Sequence, residues 1–116
     1  MKTILVVEDN SSYQAILKKA LEDAHFTVVQ AGNGKEALDF VKNSTFDLII
    51  LDLLMPEMDG ITFYYQLKKI LKKHIPILVL TNVADTAAYG ADIKDVLIKS
   101  DVSLDEVVAK VKAVLR

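Results

Sequence analysis

Continuous apolar runs alternate along this chain with apolar positions at helical spacing. Ile4 to Val7 is a run ended by the polar Glu8, Asp9 and Asn10, and it predicts a strand covered on both faces. From Ser11 to Ala24, Ile16, Leu17, Ala20, Leu21 and Ala24 recur as one helical stripe, with Asn10 or Ser11 as the cap. Phe26 to Val29 predicts a second strand. Asn33 can cap the next helix, and Glu36 stands three positions on, as in a capping box. Ala37, Leu38 and Val41 give that helix its stripe, and it should end near Asn43. Asp47 to Leu51 is almost wholly apolar and predicts a third strand at the sheet centre.

The loop Asp52 to Gly60 follows, with Pro56 barring an early helical start and Asp59 placed to cap a helix from Gly60. That helix carries Ile61, Tyr64, Leu67, Ile70 and Leu71 and should end near Lys73; His74 and Pro76 mark the turn after it. Ile77 to Leu80 predicts a fourth strand. Ala84 to Ala91 makes a short helix weakened by Gly90, and Val96 to Ile98 a fifth strand. Ser103 with Glu106 is a capping-box signal opening a closing helix that carries Leu104, Val107, Val108, Val111, Val114 and Leu115.

Strand and helix in regular alternation imply a doubly wound α/β fold with a mostly parallel sheet. Such sheets bind ligands beyond the carboxyl ends of their strands, where the strand order reverses. The polar residues stand at those ends: Glu8 and Asp9 after the first strand, Asp52 after the third, Thr81 and Asn82 after the fourth, Lys99 after the fifth. Converging carboxylates repel one another unless a cation sits among them, and hard divalent ions prefer oxygen ligands. A carboxylate beside a metal can attack phosphorus, with a lysine and a hydroxyl stabilising the phosphoryl oxygens. Taken singly, each residue has a plainer reading. Glu8, Asp9 and Asn10 can be a capping loop, Asp52 a turn cap, Thr81 a strand residue and Lys99 a solvated lysine. Joint placement is what favours chemistry.

Composition narrows the field. The 116 residues leave room for one sizeable core, and the hydrophobic share of 52% suits a sheet buried on both faces. The net charge of −2 argues against direct nucleic-acid binding. Lys68, Lys69, Lys72 and Lys73 form the dense basic run, read as a solvated helix face. Without cysteine there is no disulfide, thiolate metal site or cysteine nucleophile. No zinc pattern is present, and His25 and His74 read as turn or surface residues. The first apolar run is too short to span a bilayer, so a cytoplasmic protein without membrane contact is expected. Tyr64 and Tyr65 are consecutive and cannot face the same way, so one should be partly exposed.

The chain resembles the receiver domain of two-component response regulators. Ile4-Leu5-Val6-Val7-Glu8-Asp9-Asn10 is similar to the family's first strand and acidic pair. Asp47 to Gly60, with Asp52, Met55-Pro56 and Asp59-Gly60, is similar to its phosphorylation strand and following turn. The resemblance implies a single, stand-alone receiver over residues 1–116, flavodoxin-like, with helices on both faces of a five-stranded parallel sheet ordered 2-1-3-4-5. It implies that Asp52 is the phosphoacceptor. Glu8, Asp9, Asp52 and the Leu54 carbonyl would hold Mg²⁺ or Mn²⁺, Thr81 would be the switch hydroxyl, and Lys99 would pair with the phosphoryl group. Asn82, Met55, Pro56 and Asp59 are secondary site residues. The implied partners are a histidine kinase or histidine phosphotransfer protein and a downstream protein that the sequence does not identify.

Several positions depart from the pattern. Ser100 stands where a proline usually follows the lysine. Val96 takes the place nearest the aromatic switch residue. Asn82 replaces a small residue, so that its bulk narrows donor access or its amide contacts the phosphoryl group. The connection from Thr81 to Lys99 is shorter than usual, which predicts a truncated or poorly ordered fourth helix. The face of fourth helix, fifth strand and fifth helix would then be altered and could favour a dimer. Two other readings stand beside the phosphoacceptor switch. One is a pseudo-receiver acting as a phosphorylation-independent interaction module. The other is a small metal-dependent phosphatase or phosphotransferase, which would need an acid two residues after Asp52, where Leu54 stands.

Overall fold

The structure is a computed structural model that describes residues 1–53, 58–70, 72, 74–82 and 95–116. Five strands form one parallel sheet: β1 (Thr3–Val7), β2 (Thr27–Ala31), β3 (Leu48–Leu51), β4 (Ile77–Thr81) and β5 (Asp95–Ile98), in the order β2-β1-β3-β4-β5. The helices are α1 (Ser11–Asp23), α2 (Gly34–Asn43), α3 (Gly60–Tyr65) and the closing α4 (Leu104–Val114). The predicted helix over Ala84 to Ala91, and with it the expected truncation and the fourth-helix part of the expected dimer face, lies outside the described residues.

Alternation along the strands separates two cores. Leu5, Val7, Ile49, Leu51 and Val79 point to one face and pack with Ala37, Leu38 and Val41 of α2 and Phe63 and Tyr64 of α3. Ile4, Val6, Leu48, Ile50, Leu78 and Leu80 point to the other, against Leu17 and Leu21 of α1 and Val107 and Val111 of α4. This is why β1 and β3 read as unbroken apolar runs: both faces are covered. Among the described residues no helix is long and apolar enough to cross a membrane.

Side-chain caps set where the helices begin. Asn10 Oδ1 accepts from Tyr13 N at 2.9 Å, Asn33 Oδ1 from Glu36 N at 2.8 Å and Asp59 Oδ1 from Thr62 N at 2.8 Å. Ser103 and Glu106 close a full capping box. The box expected at Asn33 is displaced by one residue, because Glu36 accepts from Gly32 N.

Two boundaries differ from expectation. β2 starts at Thr27 and runs to Ala31 because Phe26 belongs to the end of α1. His25 N donates to Glu22 O at 2.9 Å and Phe26 N to Leu21 O at 3.1 Å, the paired bonds of a Schellman end, with His25 at a left-handed φ of 72°. The helix from Gly60 keeps α geometry only to Tyr65 and widens into a π-helix over Gln66–Ile70. Its buried side chains include Phe63, Tyr64 and Leu67, whereas Ile61 is half-buried. Tyr65 is 44% exposed, as one of the two tyrosines had to be. Lys69 and Lys72 are solvated, while Lys68 lies over the Tyr64 ring, 5.8 Å from its centroid.

Gly60 sits tightly against the end of β3. Its N–H donates to Leu53 O at 3.1 Å. A Cβ there would collide with the Asp52 carbonyl oxygen and the Leu53 Cα.

Candidate functional site

Register brings the predicted residues together. Val7 pairs with Leu51, so Glu8 and Asp52 leave the sheet side by side at the point where the strand order reverses. Asp52 N donates to Val7 O and Glu8 N to Ala31 O, both at 3.0 Å, extending the ladders to the site residues themselves. Thr81 pairs with Ile98, which puts Lys99 one residue past the end of β5.

Carboxylate oxygens of Glu8, Asp9 and Asp52 all lie within 4.8 Å of one another, with Glu8 and Asp52 buried and Asp9 exposed. Thr81 Oγ1 donates to Asp52 Oδ1 at 2.8 Å. Lys99 Nζ donates to Asp52 Oδ2 at 2.9 Å and to Glu8 Oε2 at 2.5 Å. Five of the sequence-predicted residues therefore meet at one place. When ionised, three carboxylates against one ammonium leave a charge that a divalent cation balances, and their oxygen donors suit a hard ion such as Mg²⁺.

Burial pushes the Glu8 carboxyl above its ordinary range, and the Asp52 charge acts in the same direction. Hydrogen bonds from Lys99 and the Asn10 amide offset this only in part. For Lys99, burial alone would favour the neutral amine, but the hydrogen bonds and charges of Glu8 and Asp52 outweigh it and raise its pKa.

The remaining expectations fall elsewhere. Leu54, Met55 and Pro56 lie outside the described residues. Asp59 caps α3. Asn82 is exposed, and its Oδ1 accepts from Ser100 N at 3.1 Å, a partner not foreseen for it. Two residues of α1 were missed. The half-buried Tyr13 ring lies under Lys99, whose Nζ is 4.8 Å from its centroid. Burial raises its hydroxyl pKa, assisted by Glu8 and Asp52 and opposed by Lys99. Gln14 Nε2 donates to the carbonyls of Glu8 and Ala31, tying the ends of β1 and β2. A polar or aromatic residue in the first turn after an acidic pair was the available signal for both.

A doubly wound sheet with a cation-capable carboxylate cluster at its switch point, and a hydroxyl and an ammonium on the central aspartate, describes a phosphoacceptor class of protein. The chain belongs to the response regulator receiver domain family, whose model matches residues 4–112. Transcriptional regulatory protein SrrA of Staphylococcus aureus is 38% identical over 119 aligned residues, covering 97% of this chain and 47% of SrrA. The chain thus spans about half the length of the curated relatives it matches. The solved response regulator TrrA of Thermotoga maritima, in complex with Mg²⁺–BeF, superposes with a TM-score of 0.87 at 32% identity, covering 99% of this chain and all of that one. Chemotaxis protein CheY4 of Vibrio cholerae gives 0.86 at 30% identity, with 99% of each chain covered.

Proposed function

We propose that this chain is a signalling switch in a two-component phosphorelay, in which Asp52 takes a phosphoryl group from a phosphohistidine donor. One observation carries the reading: the buried Asp52 carboxylate lies close to those of Glu8 and Asp9 and holds Thr81 and Lys99 on its two oxygens.

In the step that follows from this geometry, an Asp52 carboxylate oxygen forms a bond to phosphorus while the bond from phosphorus to the donor nitrogen breaks. The nitrogen leaves with the electron pair and takes up a proton. Glu8, Asp9 and Asp52, with the Leu54 carbonyl that the family resemblance adds, would hold Mg²⁺. The bound ion would neutralise charge on carboxylate and phosphoryl oxygens. The Thr81 hydroxyl and the Lys99 ammonium, both already hydrogen-bonded to Asp52, transfer their bonds to phosphoryl oxygens as these arrive. Leaving Asp52 in this way moves the ends of β4 and β5, which is how a local charge change biases a larger surface. A cytoplasmic site of action and an output protein contacted through the β5 side go with this reading.

Incubation with Mg²⁺ and acetyl phosphate, followed by intact-protein mass measurement, tests it. One phosphoryl mass should be gained by the native chain and none by Asp52→Asn. No adduct on a chain that binds Mg²⁺ would overturn it. A phosphorylation-independent interaction module is the second reading, favoured by Val96, a half-buried strand residue packed on the core instead of an aromatic switch. Under that reading, beryllofluoride with Mg²⁺ leaves the amide shifts of β4, β5 and α4 unmoved.

A further inference from the structure

Asn82 and Ser100 both depart from the family pattern, and the fold joins them. Asn82 follows Thr81 at the end of β4, and Ser100 follows Lys99 at the end of β5. The last pair in this ladder is Thr81 with Ile98. One residue further on, Asn82 Oδ1 accepts from Ser100 N at 3.1 Å. The bond clasps the strand ends beside the two donors on Asp52.

Ser100 lies in a 3₁₀ turn over Lys99–Asp101. The first amides of such a turn have no partner within it, and an N-cap side chain normally accepts from the second or third. Ile98 occupies the cap position and offers no side-chain acceptor. Asn82 reaches across from the neighbouring strand and does that work for Ser100, the second residue of the turn. Lys99 is the first residue of this turn, so the turn sets the point from which its stem reaches Glu8 and Asp52.

We propose that Asn82 is a positioning residue: through the Ser100 amide it fixes the turn that carries Lys99, and so sets the place of the ammonium against Asp52. Its consequence for phosphoryl binding rests on the phosphoacceptor reading; the clasp itself does not. An Asn82 that merely crowds the donor's approach gives opposite behaviour on truncation, because shortening it then helps binding.

Two variants separate these cases, Asn82→Ala, which is smaller, and Asn82→Leu, which keeps the bulk without the acceptor. The first readout is NMR of the metal-free protein. The ε-methylene protons of Lys99 feel the ring current of Tyr13, since Nζ lies 4.8 Å from its centroid. In both variants these signals should move toward the values of a solvated lysine while the amide dispersion of the fold is kept. The second readout is affinity for beryllofluoride with Mg²⁺, which should weaken about three- to tenfold in both, the range expected for one hydrogen bond. In a Lys99→Met chain, Asn82→Ala should add no further weakening, since its effect runs through the lysine. Unmoved Lys99 signals, an Asn82→Ala chain that binds as tightly as the native one, or full additivity with Lys99→Met would each overturn the proposal. A native chain that binds no beryllofluoride would overturn the phosphoacceptor reading instead, and the Lys99 signals would still decide the clasp.

Discussion

β3 and β5 end in the same site but are built differently. β3 lies between β1 and β4, is buried at all four positions and delivers Asp52. β5 is the last strand of the sheet, half-buried at all four positions, and delivers Lys99. Packing on both faces holds the acceptor still. The lysine is held chiefly by polar contacts: two carboxylates, the Tyr13 ring and the Asn82–Ser100 bond. A switch needs this asymmetry, because the group that receives charge must stay in place while the groups that answer to it move.

Core truncation should show the asymmetry most visibly. Leu51→Ala, at a site with no exposure, should cost about 2–5 kcal/mol in chemical denaturation. Leu97→Ala on half-buried β5 should cost less than half as much. Equal losses would remove the distinction drawn between the two strands.

Removing the cation comes next. In Lys99→Met, Glu8 and Asp52 keep their burial and lose their shared partner. Breaking a fully buried pair costs about 3–5 kcal/mol, and the Lys99 side chain is 13% exposed, so a loss of about 1–3 kcal/mol is expected. Melting curves with and without Mg²⁺ should show the ion restoring much of it. A loss indifferent to Mg²⁺ would mean that the lysine acts through packing alone.

The pH dependence is smaller and has two signs to check. The folded pKa of Lys99 is raised above 10.5, so its pairing stabilises the fold at neutral pH and this contribution is lost as pH climbs through the folded value. That alkaline loss should be absent in Lys99→Met. The folded pKa of Glu8 is raised above 4.5, so its contribution is complete below 4.5 and fades as pH rises through the folded value. Acidification therefore spares this part of the stability while protonating a metal ligand. Mg²⁺ affinity should weaken on acidification toward the folded pKa of Glu8, with thermal stability of the metal-free chain as the companion measurement.

The smallest effect lies away from the site. His25 holds a left-handed conformation that glycine adopts without strain. His25→Gly should raise stability by about 0.5–1 kcal/mol in denaturant titration and leave Mg²⁺ affinity unchanged.

Much of this was legible in the sequence, for local reasons. Strands covered on both faces must be apolar throughout, so β1 and β3 stand out, and the polar residues that end them mark the site. Asn10, Asn33, Asp59 and Ser103 announce helix starts because a cap is a contact between neighbours in the chain. What could not be read depends on contacts between segments far apart. The widening of α3 after Tyr65 leaves no mark in the spacing of Tyr64 and Leu67. Phe26 looked like a strand residue because nothing local says that it closes a Schellman end over Leu21. Tyr13 under Lys99 and Asn82 against Ser100 join segments that only the sheet brings together. Of the candidate site, Glu8, Asp9, Asp52, Thr81 and Lys99 converge as expected, and Asp59 is the α3 cap that its place before Gly60 announces.

Calorimetric titration of Mg²⁺ into the native chain, Asp9→Asn and Asp59→Asn is the most direct test of the carboxylate cluster as one cation site. The native chain and Asp59→Asn should bind alike, since asparagine caps α3 as well as aspartate does, and Asp9→Asn should bind at least about tenfold more weakly. Equal Mg²⁺ affinity in all three chains would contradict the account.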